Sequence, residues 1–202
     1  MAVLSPRRLE YPFTAAQINS LRVGQLVSVS GRLFTARDRL HKYLFEGGKC
    51  PVDLKDGAIY HCGPVVVRRE GAWVVRAAGP TTSIREEPYL HRIIKEHAVR
   101  VVIGKGAMGR RTEQACAEFG CVYLHAVGGA AQVLAGKVTA VSGGYFMKEF
   151  GPTEALWELT VKEFPAIVAI DAHGHSLMRR VQHSSRRALD RLLKSADPFD
   201  AS

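Results

Sequence analysis

The sequence predicts an α/β protein, with a β-rich N-terminal layer followed by βαβ units that build a parallel sheet. Two observations predict it. Residues 23–78 are dominated by alternating and β-branched stretches with one helical segment among them. From residue 86 onward, helical and strand-like segments alternate, and the strand-like ones are continuously apolar. Strands covered on both faces by crossover helices have that composition. The 202 residues suffice for one domain with a core, or one domain with an appendage.

Each element has its own local signal. Residues 1–22 read as an arm with a short helix, for which Thr14 is the candidate N-cap. Residues 23–35 alternate around Leu26, Val27, Ser28 and Val29, as a half-buried strand does. Residues 38–45 have helical spacing, with Leu40, Tyr43 and Leu44 on one face. Residues 59–69 and 72–78 are β-rich, and Glu70-Gly71 between them is a hairpin turn signal. Residues 86–97 are helical in period through Tyr89, Leu90, Ile93 and Ile94. Residues 99–104 and 121–126 read as buried strands, separated by a helix over 110–119 with Thr112 as candidate cap. A short helix over 130–135 follows Gly128-Gly129, and residues 138–147, 156–161 and 165–170 supply further strands. Residues 177–194 form a helix with Met178, Val181, Ala188, Leu189, Leu192 and Leu193 on an apolar side, and fraying is expected after Ala196. The chain thus divides into an arm and short helix (1–22), a main domain (23–177) and a basic helix and tail (178–202).

The composition narrows the function classes. Hydrophobic residues make up 47% and charged residues 23%, which suits a globular protein and leaves no apolar run of the roughly 18 residues a membrane span needs. The first residues lack an apolar core of signal-peptide length, so the expected location is cytoplasmic, a short targeting segment aside. The net charge of +9 is unevenly placed: residues 178–196 hold five arginines and one lysine against one aspartate, over half of the excess. The body is only mildly basic, which disfavours a nucleic-acid partner. The tail is open to three readings: a solvated helix, a docking element or a nucleic-acid contact. Cys50, Cys62, Cys116 and Cys121 form no C-x-x-C pair and match no zinc or iron–sulfur spacing, so they read as buried thiols.

Three motifs couple a cation to a glycine- or hydroxyl-rich turn. They are Thr35-Ala36-Arg37-Asp38-Arg39-Leu40-His41-Lys42, Gly79-Pro80-Thr81-Thr82-Ser83-Ile84-Arg85 and Gly104-Lys105-Gly106-Ala107-Met108-Gly109. Two arginines and a lysine converging on one pocket suit a small substrate with two carboxylates. Arginine binds a carboxylate through two parallel hydrogen bonds, and lysine adds a point charge. No nucleophile motif, metal-ligand cluster or cofactor fingerprint accompanies them, so the chain reads as half of an active site. Gly104-Lys105-Gly106 follows a strand and precedes a helix, where backbone N–H groups attract anions, but it is not a P-loop. Gly128-Gly129 reads as a packing turn before an anion site. Asp171, His173 and His175 alternate as metal ligands can, but a turn fixed by Asp171 and Gly174 is the preferred reading.

Together with Glu149, Phe150, Gly151, Glu154 and Trp157, and with Asp171, His173, Ser176 and Leu177, these motifs resemble the β-subunit of the two-subunit iron–sulfur class I fumarate hydratases and of the related L-tartrate dehydratases. The match runs in order from about residue 23 to 177. The resemblance implies a swivelling β/β/α domain, the C-terminal domain of single-chain relatives. It implies a hydro-lyase that hydrates and dehydrates a C4 dicarboxylate, fumarate and malate foremost, with L-tartrate or a non-catalytic swivel-type domain as alternatives. It also implies a four-iron four-sulfur cluster held by three cysteines of a partner α-subunit, and a higher oligomer of α/β pairs.

By the same resemblance Arg37, Arg85 and Lys105 are the substrate-binding cations, and Thr81 falls on a threonine assigned as catalytic base. A threonine hydroxyl is intrinsically a poor base, and clustered cations would favour its anion; binding a substrate carboxylate or capping a helix is the open alternative. Asp38, His41, Thr82, Gly104 and Gly106 are read as supporting residues, with no metal ligand among the candidates. Asp38 and His41, three apart on a helix, share a face, so Asp38 is expected to orient His41 or Arg37. Glu86 departs from the family pattern, in which an apolar residue, often methionine, stands there. Beside Arg85 it would weaken anion binding or face solvent.

Overall fold

The computed structural model describes residues 5–195. The expected behaviour of the tail beyond Ala196 and of the first four residues lies outside them. Seven strands form the main sheet: β1 (Arg7–Glu10), β2 (Leu26–Thr35), β3 (Ala58–Tyr60), β6 (Val101–Gly104), β7 (Val122–His125), β8 (Val138–Tyr145) and β9 (Leu156–Ile170). β4 (Val65–Arg69) and β5 (Ala72–Ala77) make a separate hairpin. The helices are α1 (Ala15–Asn19), α2 (Asp38–Phe45), α3 (Glu87–His97), α4 (Arg110–Phe119), α5 (Ala131–Ala135), α6 (Met147–Phe150) and α7 (Leu177–Ser195). The fold is mixed α/β.

β1, β2, β3, β6 and β7 pair in parallel in that order. β9 then runs antiparallel along β2, β7 and β8. The ladder β2–β3–β6–β7–β9 therefore returns to β2, and these five strands close on one another. The parallel strands send alternate residues into two cores. Ala58, Tyr60, Val101, Ile103, Val122 and Leu124 join one, with Phe13, Ile18, Trp157 and Phe164. Ile59, Val102 and Tyr123 join the other, under Leu40, Leu44, Leu90, Ile93, Ile94 and Cys116 of α2, α3 and α4. Burial on both faces is why these strands read as unbroken apolar runs.

Several elements differ from expectation for identifiable reasons. Arg7–Glu10 is an edge strand that the sequence reading did not anticipate. Residues 59–69 are interrupted after Tyr60, because Gly63-Pro64 cannot continue a ladder. Residues 156–161 and 165–170 belong to one strand: residues 164–166 pair with β2 alone, so Pro165 lies on an open edge where its missing N–H is tolerated. Glu70 and Gly71, with φ of 51° and 82°, turn the hairpin as expected. Thr14 caps α1 in a full capping box. Thr112 does not cap α4; Gly109 is the N-cap, and the Glu87 carboxylate accepts hydrogen bonds from the N–H groups of Gly109, Arg111 and Thr112 and from the Thr112 hydroxyl. Among the described residues no helix is long and apolar enough to cross a membrane.

Candidate functional site

The three motifs meet just past the carboxyl ends of the parallel strands β2 and β6. Arg37 follows β2 and is the N-cap of α2; Lys105 follows β6; residues 79–86 cross from the hairpin to α3 and run beside β6 through a Thr82–Lys105 bridge. Arg85 is the centre of the cluster. Its Nη2 donates to Thr81 Oγ1 at 2.9 Å and lies 3.0 Å from Asp38 Oδ2. Asp38 thus holds Arg85, rather than His41 or Arg37 as expected. Arg85 remains 46% exposed, so the site opens to solvent on one side.

Arg37 lies beside Glu154, with Nε 3.4 Å from Oε1, while the other Glu154 oxygen accepts from the Arg39 N–H at 3.0 Å. Gly63 makes room for the Arg37 guanidinium: a Cβ there would come within 2.7 Å of Nη1. The Lys105 N–H donates to Ser83 Oγ at 3.1 Å, the Lys105 carbonyl accepts from the Ser83 N–H, and the Lys105 stem passes over Gly128. Gly104 is required by close approach, because any Cβ would overlap Ser83 Oγ and press on His61. Gly106 has φ of 83°, and its carbonyl accepts from the Tyr123 hydroxyl at 3.0 Å. Thr82 starts the 3₁₀ turn Ser83–Glu86 without a side-chain cap bond.

Below this rim lies a buried polar layer: the sequence pointed to His41, Ser83 and Glu86 without their burial, and not to His61. His41, His61, Ser83 and Glu86 are fully buried, and each is one link from a candidate site residue. His41 Nδ1 contacts the Arg37 carbonyl at 3.0 Å. His61 accepts the Thr81 N–H on its carbonyl at 2.7 Å and places Nδ1 2.8 Å from Ser83 Oγ, which holds Lys105. The two imidazoles pack edge to face at 4.9 Å. Burial lowers the pKa of both, His41 to about 4 and His61 further below its ordinary value with His41 adding repulsion. Glu86, next to Arg85, does not face solvent; burial, reinforced by Asp38 and Glu154 against the pull of Arg85, raises it to about 8. No periodicity marks these residues, since each is a lone polar residue on an otherwise apolar surface.

The remaining candidates resolve as turns. Asp171 Oδ1 accepts from the N–H groups of His173 and His175, and Gly174 at φ 79° closes the loop. Burial would raise Asp171, but these bonds and the His175 ring outweigh it and hold its pKa down. Among the described residues no three of His, Cys, Asp or Glu come together as metal ligands would. A groove of about 540 Å³ lined by Arg8, Leu26, His125, Val127, Lys137 and Pro165 carries none of the motif residues.

The chain is similar to known proteins over most of its length. The Fumarase C-terminus family matches residues 7–181, which include every motif residue. A provisionally named class I fumarate hydratase from Geobacillus stearothermophilus is 49% identical over 191 residues, 94% of this chain but only 36% of the relative, so the chain spans about a third of that protein. A provisionally named L(+)-tartrate dehydratase subunit beta from Methanocaldococcus jannaschii is 37% identical over 193 residues, covering 92% of this chain and 99% of the relative. The L(+)-tartrate dehydratase subunit beta of Escherichia coli is 37% identical over 172 residues, 84% of this chain and 85% of the relative. With its motif residues gathered at one end of the sheet and inside the matched span, the chain belongs to the Fumarase C-terminus family.

Proposed function

We propose that this chain is the β-component of a hydro-lyase that adds water to, or removes it from, a C4 dicarboxylate, with fumarate and malate the leading pair. The observation that carries the reading is the contact of Arg85 with both Thr81 and Asp38 on a rim that also bears Arg37. Such a reaction needs its carboxylates held and a proton moved to or from carbon. Arg85, Arg37 and Lys105 hold the carboxylates, each charge-assisted hydrogen bond contributing about 1.5–3 kcal/mol. The N–H that Arg85 donates to Thr81 Oγ1 orients that oxygen and favours negative charge on it, which is what a threonine needs to accept a proton. L-tartrate is the second reading, because two tartrate dehydratase β-subunits align over most of their length.

An iron–sulfur cluster is expected from the family resemblance, and the cysteines of this chain do not fit one. Cys62, Cys116 and Cys121 are buried in the two cores. Burial pushes the Cys62 thiol up to about 12 and raises Cys50, while Cys116 is raised by its contact with Cys121 and by burial. A thiol whose pKa is raised by burial is a poor metal ligand, so we assign the cluster to a partner α-subunit. The 46% exposure of Arg85 and the much longer Geobacillus stearothermophilus relative support a partner that closes the site. We further expect α/β pairs to assemble into a higher oligomer in the cytoplasm.

Anaerobic turnover of fumarate and tartrate, measured for this chain alone and for its complex with the partner, tests the proposal. Turnover is expected only in the complex. Thr81→Ala is expected to lower kcat about 10²–10⁴-fold, the range for loss of a positioned proton acceptor. An intact complex with a loaded cluster that converts neither substrate would overturn the reading.

A further inference from the structure

Glu86 is buried beside Arg85, and neither of its carboxyl oxygens meets a partner in good hydrogen-bond geometry, the nearest polar side chains being His41 and Asp38. His41 Nδ1 lies 3.5 Å from Oε2. That nitrogen carries the ring proton, because its other contact, the Arg37 carbonyl, can only accept. His41 Nε2 is then a buried lone pair that also lacks a partner. Two charged groups with so few hydrogen bonds would be costly to bury, and a neutral acid against a neutral imidazole costs much less. The other charged groups facing Glu86 are Asp38 from α2, Arg85 beside it in the 3₁₀ turn and Glu154 from the segment before β9.

The connectivity gives the pair a task. His41 is bonded to the carbonyl of Arg37, and Glu86 follows Arg85 in the chain, so their contact joins the two arms that carry the arginines. We propose that Glu86, seated against His41 as an uncharged acid, is a positioning residue that fixes the spacing of Arg37 and Arg85 and leaves their charge to an incoming dicarboxylate. The proposal rests on the hydro-lyase reading above. Ionised, Glu86 would set a third carboxylate beside Asp38 and Glu154 and lower the positive potential offered to the substrate. Its displacement to about 8 places that loss at mildly alkaline pH. Substrate capture is affected, so KM carries the change while kcat at saturation moves little.

The test measures KM and kcat for fumarate and tartrate in the complex with the iron–sulfur partner as pH is raised. For the wild type, KM is expected to rise on the order of tenfold from one unit below to one unit above the midpoint, the span of a single binding-linked ionisation. Glu86→Gln, which keeps the shape and stays neutral, should match the wild-type KM at neutral pH and lose the alkaline rise. Glu86→Ala should raise KM at every pH, because the spacer is gone. An unchanged alkaline rise in Glu86→Gln overturns the proposal. A second readout needs no turnover: carbon-detected NMR of the Glu86 carboxyl and the His41 ring in this chain. A carboxyl midpoint near 8 is expected, sensed as a shift of the neutral His41 ring, and a carboxyl titrating near 4.5 overturns the proposal. If the wild-type complex converts no dicarboxylate while the NMR midpoint is as expected, the hydro-lyase reading fails and the acid–imidazole pair stands.

Discussion

Single atoms decide whether this site is assembled. Gly104 leaves no room for a methyl group, since Ser83 Oγ occupies the place a Cβ would take. Gly104→Ala must displace Ser83, whose hydroxyl meets both His61 and the Lys105 N–H. The expected cost is about 1–3 kcal/mol of stability by urea denaturation, the usual price of overpacking, with a greater loss in substrate binding. Glu87 is equally local: one carboxylate satisfies three N–H groups and a hydroxyl at the start of α4. Glu87→Ala should cost about 1–2 kcal/mol, as for loss of a strong N-cap, seen as a lower denaturation midpoint at unchanged slope.

At the scale of elements, the strands and α7 behave differently. β9 is tied to β2, β7 and β8, so it is locked by three neighbours. α7 is held near its start, where Arg179 pairs with the mostly buried Glu113. Further along, Val181, Leu189 and Leu193 are about half exposed or more. Leu189→Ala should therefore shift stability by only about 0.5 kcal/mol, as surface changes do, measured by thermal unfolding. Arg179→Ala should cost more, about 1–3 kcal/mol, because it leaves the Glu113 carboxylate without its partner.

For the whole molecule, buried titrations bend stability with pH, with His61 acting in the same direction as His41. Glu86 rises from an ordinary 4.5 to about 8 on folding, so between those values the unfolded chain releases a proton that the native one keeps. Stability from this group falls as pH rises through that window. His41 drops from 6.5 to about 4, so the unfolded chain binds a proton that the native one excludes, and stability falls as pH drops through that window. Thermal melts of wild type and Glu86→Gln should show the variant gaining relative stability steadily from about pH 4.5 to about pH 8. A flat difference across that range would refute the assignment. The closed run β2–β3–β6–β7–β9 makes these titrations global, because the site sits on the strand ends of the ladder that carries both cores.

Local chemistry was legible in the sequence. The helices over Asp38–Phe45 and Arg110–Phe119, the hairpin turn at Glu70-Gly71 and the capping box at Thr14 follow from backbone preference and from side chains a few residues apart. The cation-bearing turns at Arg37, Thr81, Arg85 and Lys105 were legible for the same reason, since a glycine or hydroxyl beside a fixed charge is a short-range pattern. Tertiary structure alone decided that β9 is one strand, that Asp38 holds Arg85 and that Glu87 caps α4. It alone sank His41, His61, Ser83 and Glu86 beneath the rim. Those outcomes depend on groups brought together from distant parts of the chain, and a side chain's charge is set by the water that folding removes from it.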